Sequence, residues 1–182
     1  MEDQQLEELK YPIGRFALPE APGKEEIQAA IAVIEVFPSN LEKTVKSLTD
    51  EQLDTPYRPG GWTIRQVVHH VADSHTNAYI RFKWGLTEDT PRIRTYKEDR
   101  WATLADVDGT PVEPSMTMLR ALHAKWVLAL KHLNPEQWKR SIFHPGFDKE
   151  ITLAQLVCQY SWHSRHHLAH VNHLLARKGW VS

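Results

Sequence analysis

Apolar residues recur at helical spacing along most of this chain, and no segment keeps a sustained period-two alternation, so the pattern predicts helices. Four long ones are expected. The first runs from about Lys24 to Leu48, with Pro38 after Phe37; an internal proline removes a backbone donor and clashes with the preceding turn, predicting a kink or break there. The second starts at Thr63 and carries IRQVVHHVADSHTNAYIRFKWGL to about Leu86. The third, SMTMLRALHAKWVLALKHL, opens on Ser115 as N-cap, and the fourth spans Thr152 to about Lys178 before Gly179. Between the second and third lies TEDTPRIRTYKEDRWATLADVDGTPVEP, too long for a plain turn and read as a crossover, a lid or both. The first ten residues read as a frayed arm, and Tyr11 to Gly23, with Pro12, Pro19 and Pro22, as an extended lead-in. The expected fold class is all-α, a four-helix bundle in one domain over 1–182 with a lead-in over 1–23.

The two halves echo one another. LTDEQL (48–53) returns as LNPEQW (133–138), and TIRQVV (63–68) as TLAQLV (152–157). Each TxxQ is a capping box, with the threonine oxygen accepting from the third following amide and the glutamine reaching back. If the echo marks duplicated helix pairs, the second and fourth helices hold equivalent places, and histidines a turn or two beyond each cap sit at comparable depth.

Composition narrows the function by exclusion. With 41% hydrophobic and 25% charged residues the chain is ordinary for a globular protein. Twenty-two basic against 23 acidic residues give no overall field toward nucleic acid or an anionic membrane, so neither is expected as a partner. No window approaches a membrane span, and MEDQQLEELKYPIG lacks an apolar core of signal-peptide length; a cytoplasmic setting is expected. Cys158, the single cysteine, excludes an internal disulfide and a cysteine-rich zinc site, and its position opposite the apolar stripe argues against a nucleophile.

The chemistry lies in the histidines. WHSRHHLAHVNH (162–173) holds five of the eleven. On a helix whose apolar stripe is Leu153, Leu156, Val157, Tyr160, Val171, Leu174 and Leu175, His167 falls at the stripe's edge and His163 beside it. His170, His166 and His173 turn progressively toward the polar side. His163 and His167, four apart, can point at one ion. A third ligand must come from elsewhere, and the second helix offers His69, His70 and His75. Its stripe places His75 near the middle and the other two on opposite flanks, so periodicity leaves His69 and His70 unseparated. Three neutral imidazoles around Zn²⁺ at about 2.0–2.1 Å leave at least one position for water, the mark of a catalytic rather than a closed structural site.

YPIGRF, DTPYRPGGWTIRQVVHHVADSHTNAYIRFK and WHSRHHLAHV resemble the YfiT-type members of the DinB superfamily, over nearly the whole chain from Tyr11. The resemblance implies a four-helix bundle with a long crossover, often homodimeric, binding a divalent metal through three histidines. One comes from the HH motif and two, four residues apart, from the last helix: here His70, His163 and His167. Relatives include metal-dependent hydrolases and thiol-dependent transferases or isomerases.

Plain structural readings stand beside these. His69 is expected to face solvent or bond nearby, His166, His170 and His173 to form a solvated face, and His75 to be a buried histidine with its bond satisfied. Asp73, three residues after His70, is a candidate to orient an imidazole or serve as general base, or an exposed aspartate. Trp62 and Trp162 are candidate pocket walls. Arg58 and Arg81 are candidates for a substrate carboxylate, although such residues more often form surface ion pairs. The function expected first is hydrolysis of a small molecule assisted by Zn²⁺ or Ni²⁺. The alternatives are transfer of a low-molecular-weight thiol of the bacillithiol type and a non-enzymatic metal-binding stress protein.

Overall fold

The long helices begin where their caps place them. In the computed structural model, which describes residues 3–180, the chain runs α1 (Asp3–Lys10), α2 (Lys24–Val45), α3 (Asp50–Leu53), α4 (Ile64–Thr87), α5 (Glu98–Trp101), α6 (Glu113–Lys131), α7 (Pro135–Lys139), β1 (Ser141–His144), β2 (Lys149–Thr152) and α8 (Leu153–Lys178). Thr63 caps α4 by accepting from Gln66 N, and Thr152 caps α8 by accepting from Gln155 N, each glutamine reaching back to the cap. The echoed segments before them also match. LTDEQL forms α3 and LNPEQW forms α7, both with complete capping boxes. Gly179, in the left-handed conformation, ends α8.

Helix α2 packs against α6 and α8, and α4 packs against the same two. The diagonals are therefore α2 with α4 and α6 with α8, while α4 and α6, joined by the long connection, are neighbours. This order brings α4 and α8 side by side, and with them the two histidine-bearing segments. The apolar core divides along the bundle. One cluster gathers Ile34, Phe82, Trp126 and Leu156, the other Phe37, Leu41, Val71 and Leu174, and between them runs a belt of histidines from α4, α6 and α8. Among the described residues, no helix is long and apolar enough to cross a membrane.

Several local expectations are corrected. Residues 3–10 are helix α1, not a frayed arm. Helix α2 continues through Pro38, whose side chain is buried. Proline cannot donate to the carbonyl four residues back, so Ile34 O takes its hydrogen bond from His123 Nδ1 at 2.7 Å instead. Helix α6 starts two residues before Ser115, with Pro114 in its first turn, and Ser115 bonds His69 rather than capping. The strands β1 and β2 form an antiparallel hairpin with Ile142 opposite Ile151, four residues each and too short to register as alternation. The long connection joins them through an Arg92–Phe143 bridge.

Candidate metal centre

The sequence left His69 and His70 open, and the ring nitrogens of His69 separate them. His69 is buried with Nδ1 2.8 Å from Ser115 Oγ and Nε2 3.2 Å from Thr110 Oγ1. Both nitrogens are engaged away from α8. His70 turns the other way, its Nε2 3.3 Å from His163 Nε2. One ring nitrogen from each of His70, His163 and His167 lies within 4.8 Å of the other two. Two neighbouring ligands at about 2.0–2.1 Å from one ion stand roughly 2.8–3.4 Å apart, from octahedral to tetrahedral arrangement, so the 3.3 Å His70–His163 spacing already suits a shared ion. The donor set, three imidazoles without thiolate or carboxylate, suits a borderline ion such as zinc or nickel.

A chain of bonds fixes how His163 presents itself. The Ile34 carbonyl can only accept, so His123 carries its proton on Nδ1 and leaves Nε2 as acceptor. His75 Nδ1 then donates to His123 Nε2 at 2.8 Å, and His163 Nδ1 donates to His75 Nε2 at 3.1 Å. This order holds while the rings are neutral, and burial keeps them so: it drives His75 and His163 well below the ordinary histidine range and His123 to about 4. His163 therefore offers its Nε2 lone pair toward His70. His167 has no such support; its Nδ1 is buried without a hydrogen-bond partner. Burial takes His70 to about 4 and His167 well below the ordinary histidine range, with nearby imidazoles adding to the shift. All three are neutral imidazoles at neutral pH, each with one nitrogen lone pair to offer, as ligands must be.

Two cavities flank the trio. One, of about 520 Å³, is lined by Tyr57, Trp62, His70, Trp162 and His167. The other, of about 550 Å³, is lined by Ser74, Arg81, His144, Gln159, Tyr160 and His163. Glu98 and Asp99, at α5, line both, so the long connection forms a shared wall. Trp62 sits 4.5 Å from the His70 ring and stacks 6.3 Å from His167. The turn before it needs its glycines: Gly60 has φ +64°, and a Cβ on Gly61 would stand 2.6 Å from Arg58 Cγ.

His166 and His170 correct the expectation of a solvated face. Both are buried, because the N-terminal segment covers them: His170 Nε2 donates to Lys10 O at 3.0 Å, and Tyr11 stacks 6.0 Å from His166. His170 also stacks 4.0 Å from Tyr57. The misread arm and the misread face are one error, since an amphipathic α8 read alone cannot show what α1 covers. His173 is exposed, as expected. His75 is fully buried with both nitrogens bonded. Cys158 is half-buried against the core rather than opposite it, and burial pushes its thiol up to about 11, which disfavours the thiolate. Asp73 is half-buried, and among the described residues its carboxylate makes no hydrogen bond to the trio; burial, with Asp106 nearby, raises it to about 6. Sequence reasoning missed Gln159 and His144. Gln159 lies four residues before His163 and was legible as the same helical face, whereas His144 arrives from a hairpin that helical periodicity does not reveal.

The four-helix bundle that brings these imidazoles together is shared with known proteins. Residues 34–171 match the DinB superfamily, and the chain belongs to it. Relatives cover nearly its whole length. The "Putative metal-dependent hydrolase YfiT" of Bacillus subtilis is 48% identical over 172 residues, 94% of this chain and 97% of that one. A relative from Geobacillus kaustophilus, likewise named a "Putative metal-dependent hydrolase", is 44% identical over 96% of this chain and 98% of its own. The solved structure of Bacillus subtilis YfiT, described as "a probable metal-dependent hydrolase with an unusual four-helix bundle topology", superposes with a TM-score of 0.92 at 47% identity, covering 96% of this chain and 99% of that one.

Proposed function

We propose that this chain is a metal-dependent hydrolase of small molecules in which His70, His163 and His167 hold one divalent ion, Zn²⁺ or Ni²⁺. The observation that carries this reading is the convergence of three neutral imidazoles beside two cavities. A divalent ion there supplies Lewis acidity, polarising a substrate carbonyl or related group and acidifying water. The protein's own part is positional. His75 and His123 hold the His163 proton on Nδ1, so that the opposite nitrogen stays a donor of electrons. Trp62 and Trp162 wall the approach, and Glu98 and Asp99 of α5 form part of the same wall. Asp73 remains the candidate base from the sequence; lacking a bond to the trio, it would have to take a proton through water. A homodimer in the cytoplasm belongs to the same reading, and sedimentation would test the first part of it.

The test is metal analysis of the purified chain followed by an ester and amide panel with and without added thiol. Metal-dependent turnover indifferent to thiol is expected. Turnover that appears only with thiol would replace hydrolysis by transfer, and an inert metal-loaded chain would leave only metal binding.

A further inference from the structure

Helix α4 buries two arginines, and they are treated differently. Arg65, 3% exposed, is saturated: its Nε donates to Asp54 Oδ1 at 2.6 Å, Nη2 to Asp50 Oδ1 at 2.8 Å and Nη1 to Thr110 O at 2.6 Å. Two carboxylates neutralise it. Arg81, 6% exposed, donates to Tyr160 Oη and to Arg94 O, each at 3.1 Å, and both acceptors are uncharged. Its Nε is buried with no partner, and among the described residues no carboxylate lies within ion-pair distance. A buried cation without a counter-charge costs several kcal/mol of desolvation, so an unpaired guanidinium inside a bundle calls for an occupant.

Arg81 lines the 550 Å³ cavity that also contains His163. Tyr160, which accepts from Arg81, has its ring 5.6 Å from the His163 ring, so one aromatic side chain separates the guanidinium from the trio. Gln159 lines the same cavity, and its Oε1 is a buried acceptor with no partner. At the rim stand exposed Lys97, Arg100, Glu98 and Asp99; Glu98 is near enough to feel the Arg81 charge but forms no ion pair with it, so the lining as a whole keeps one net positive charge, with Arg81 the buried one. A single planar fork suits a carboxylate, whereas a phosphate dianion would carry excess charge past two rim acids.

We propose that this cavity is an anion subsite in which Arg81 receives a carboxylate of the substrate, so that the enzyme acts on small acyl compounds bearing a second, negatively charged group. The inference rests on the hydrolase reading for the word substrate, but the anion site stands on Arg81 alone. Gln159 Oε1 is placed to accept from an N–H of the same molecule. If Arg81 served only to tie the connection at Arg94 to the bundle, the cavity would not distinguish charged from neutral ligands.

Two measurements on the full chain separate these possibilities. By calorimetry, glutarate is compared with its neutral diamide, glutaramide, on zinc-loaded and metal-free protein. Glutarate is expected to bind at least about tenfold tighter in both forms, Arg81→Gln to remove the preference and Arg81→Lys, which keeps charge without the fork, to retain only part of it. In the second measurement, zinc-loaded protein is given 4-nitrophenyl hydrogen glutarate and 4-nitrophenyl butyrate, and kcat/KM is expected to favour the anionic ester at least about tenfold, mainly through KM. Equal affinity for glutarate and glutaramide, or no glutarate binding, overturns the subsite using wild-type protein alone, whether or not the variants fold. Glutarate preference without ester turnover would keep the subsite and discard the hydrolase.

Discussion

Two files of histidine meet at the candidate centre, and they are held in different ways. The inner file, His163 to His75 to His123, is bonded link by link until it ends on the Ile34 carbonyl. The outer row on α8, His166, His167 and His170, stacks on aromatic rings and leaves all three Nδ1 atoms buried without a partner. The bonded file dictates where each proton sits; in the outer row only His170, tied through Nε2 to Lys10 O, has its proton placed, and for His166 and His167 stacking dictates only where the ring lies. One histidine from each arrangement, His163 and His167, is therefore paired in the trio: one with its tautomer preset, the other adaptable.

The largest expected effect is common to both files. Burial holds His70, His123, His144 and His170 at about 4 and His166 at about 3, below the roughly 6.5 of an unfolded chain. Above about pH 6.5 neither state is protonated and nothing is lost. As pH falls from there toward about 4, the unfolded state takes up protons first. Each such histidine then removes about 1.4 kcal/mol of stability per pH unit. Five together exhaust a typical margin of 5–15 kcal/mol within that window, so metal-free protein should unfold between about pH 6 and 4.5, followed by circular dichroism. A flat stability profile across that range would show the rings to be hydrated.

Metal binding should divide the files. His163→Ala is expected to lower metal affinity at least about 100-fold by removing a ligand, while His173→Ala, on the exposed face, and His166→Ala leave occupancy near that of the parent. Metal content after dialysis against a graded chelator measures this. Equal losses in His163→Ala and His173→Ala would refute the assignment of the i, i+4 pair.

Smaller still is the effect of loosening the inner file from behind. His123→Phe breaks the link to Ile34 and frees the His75 and His163 tautomers, expected to cost about 10–100-fold in metal affinity, as loss of an outer hydrogen-bond partner commonly does. Pro38→Ala acts further back: it restores an N–H that competes for the Ile34 carbonyl, so a loss of less than about tenfold is expected, with no loss of helix. If both variants bind as tightly as the parent, the bonded file has no part in presenting His163.

How far these features could be read beforehand depends on what each one needs. Helix type, the threonine caps and the pairing of His163 with His167 are local, set by spacing within one segment, and were legible. The choice of His70 over His69 came from resemblance; the physical reason is that Ser115 and Thr110, more than 40 residues on, occupy both nitrogens of His69. The burial of His166 and His170 depends on a segment about 160 residues away, and the value of Pro38 on a histidine in another helix. Non-local partners of this kind leave no periodic trace. Arg81 was legible only as a question, because the same residue on the same helix face is an ordinary ion pair when a carboxylate answers it, as Asp54 answers Arg65.

Asp73 gives the smallest effect and sets a carboxylate beside the two files. Its carboxyl is raised to about 6 by burial and the neighbouring Asp106, so the folded state prefers the neutral form. Below the unfolded value near 3.8 both states are protonated and the side chain carries no penalty. As pH rises from there through about 6, the unfolded state ionises first, and stability is lost until the folded group ionises too. Asp73→Asn removes that penalty: after allowance for partial exposure, a gain of about 1 kcal/mol is expected at pH 7.5, shrinking to nothing by about pH 4. Thermal melts of parent and variant at pH 7.5, where the chain is folded, read the gain directly. The same variant decides the catalytic question. A base acting through water should lose its turnover at unchanged metal content when made an amide, whereas an acid merely enclosed by the fold yields a protein that is more stable at neutral pH and equally active.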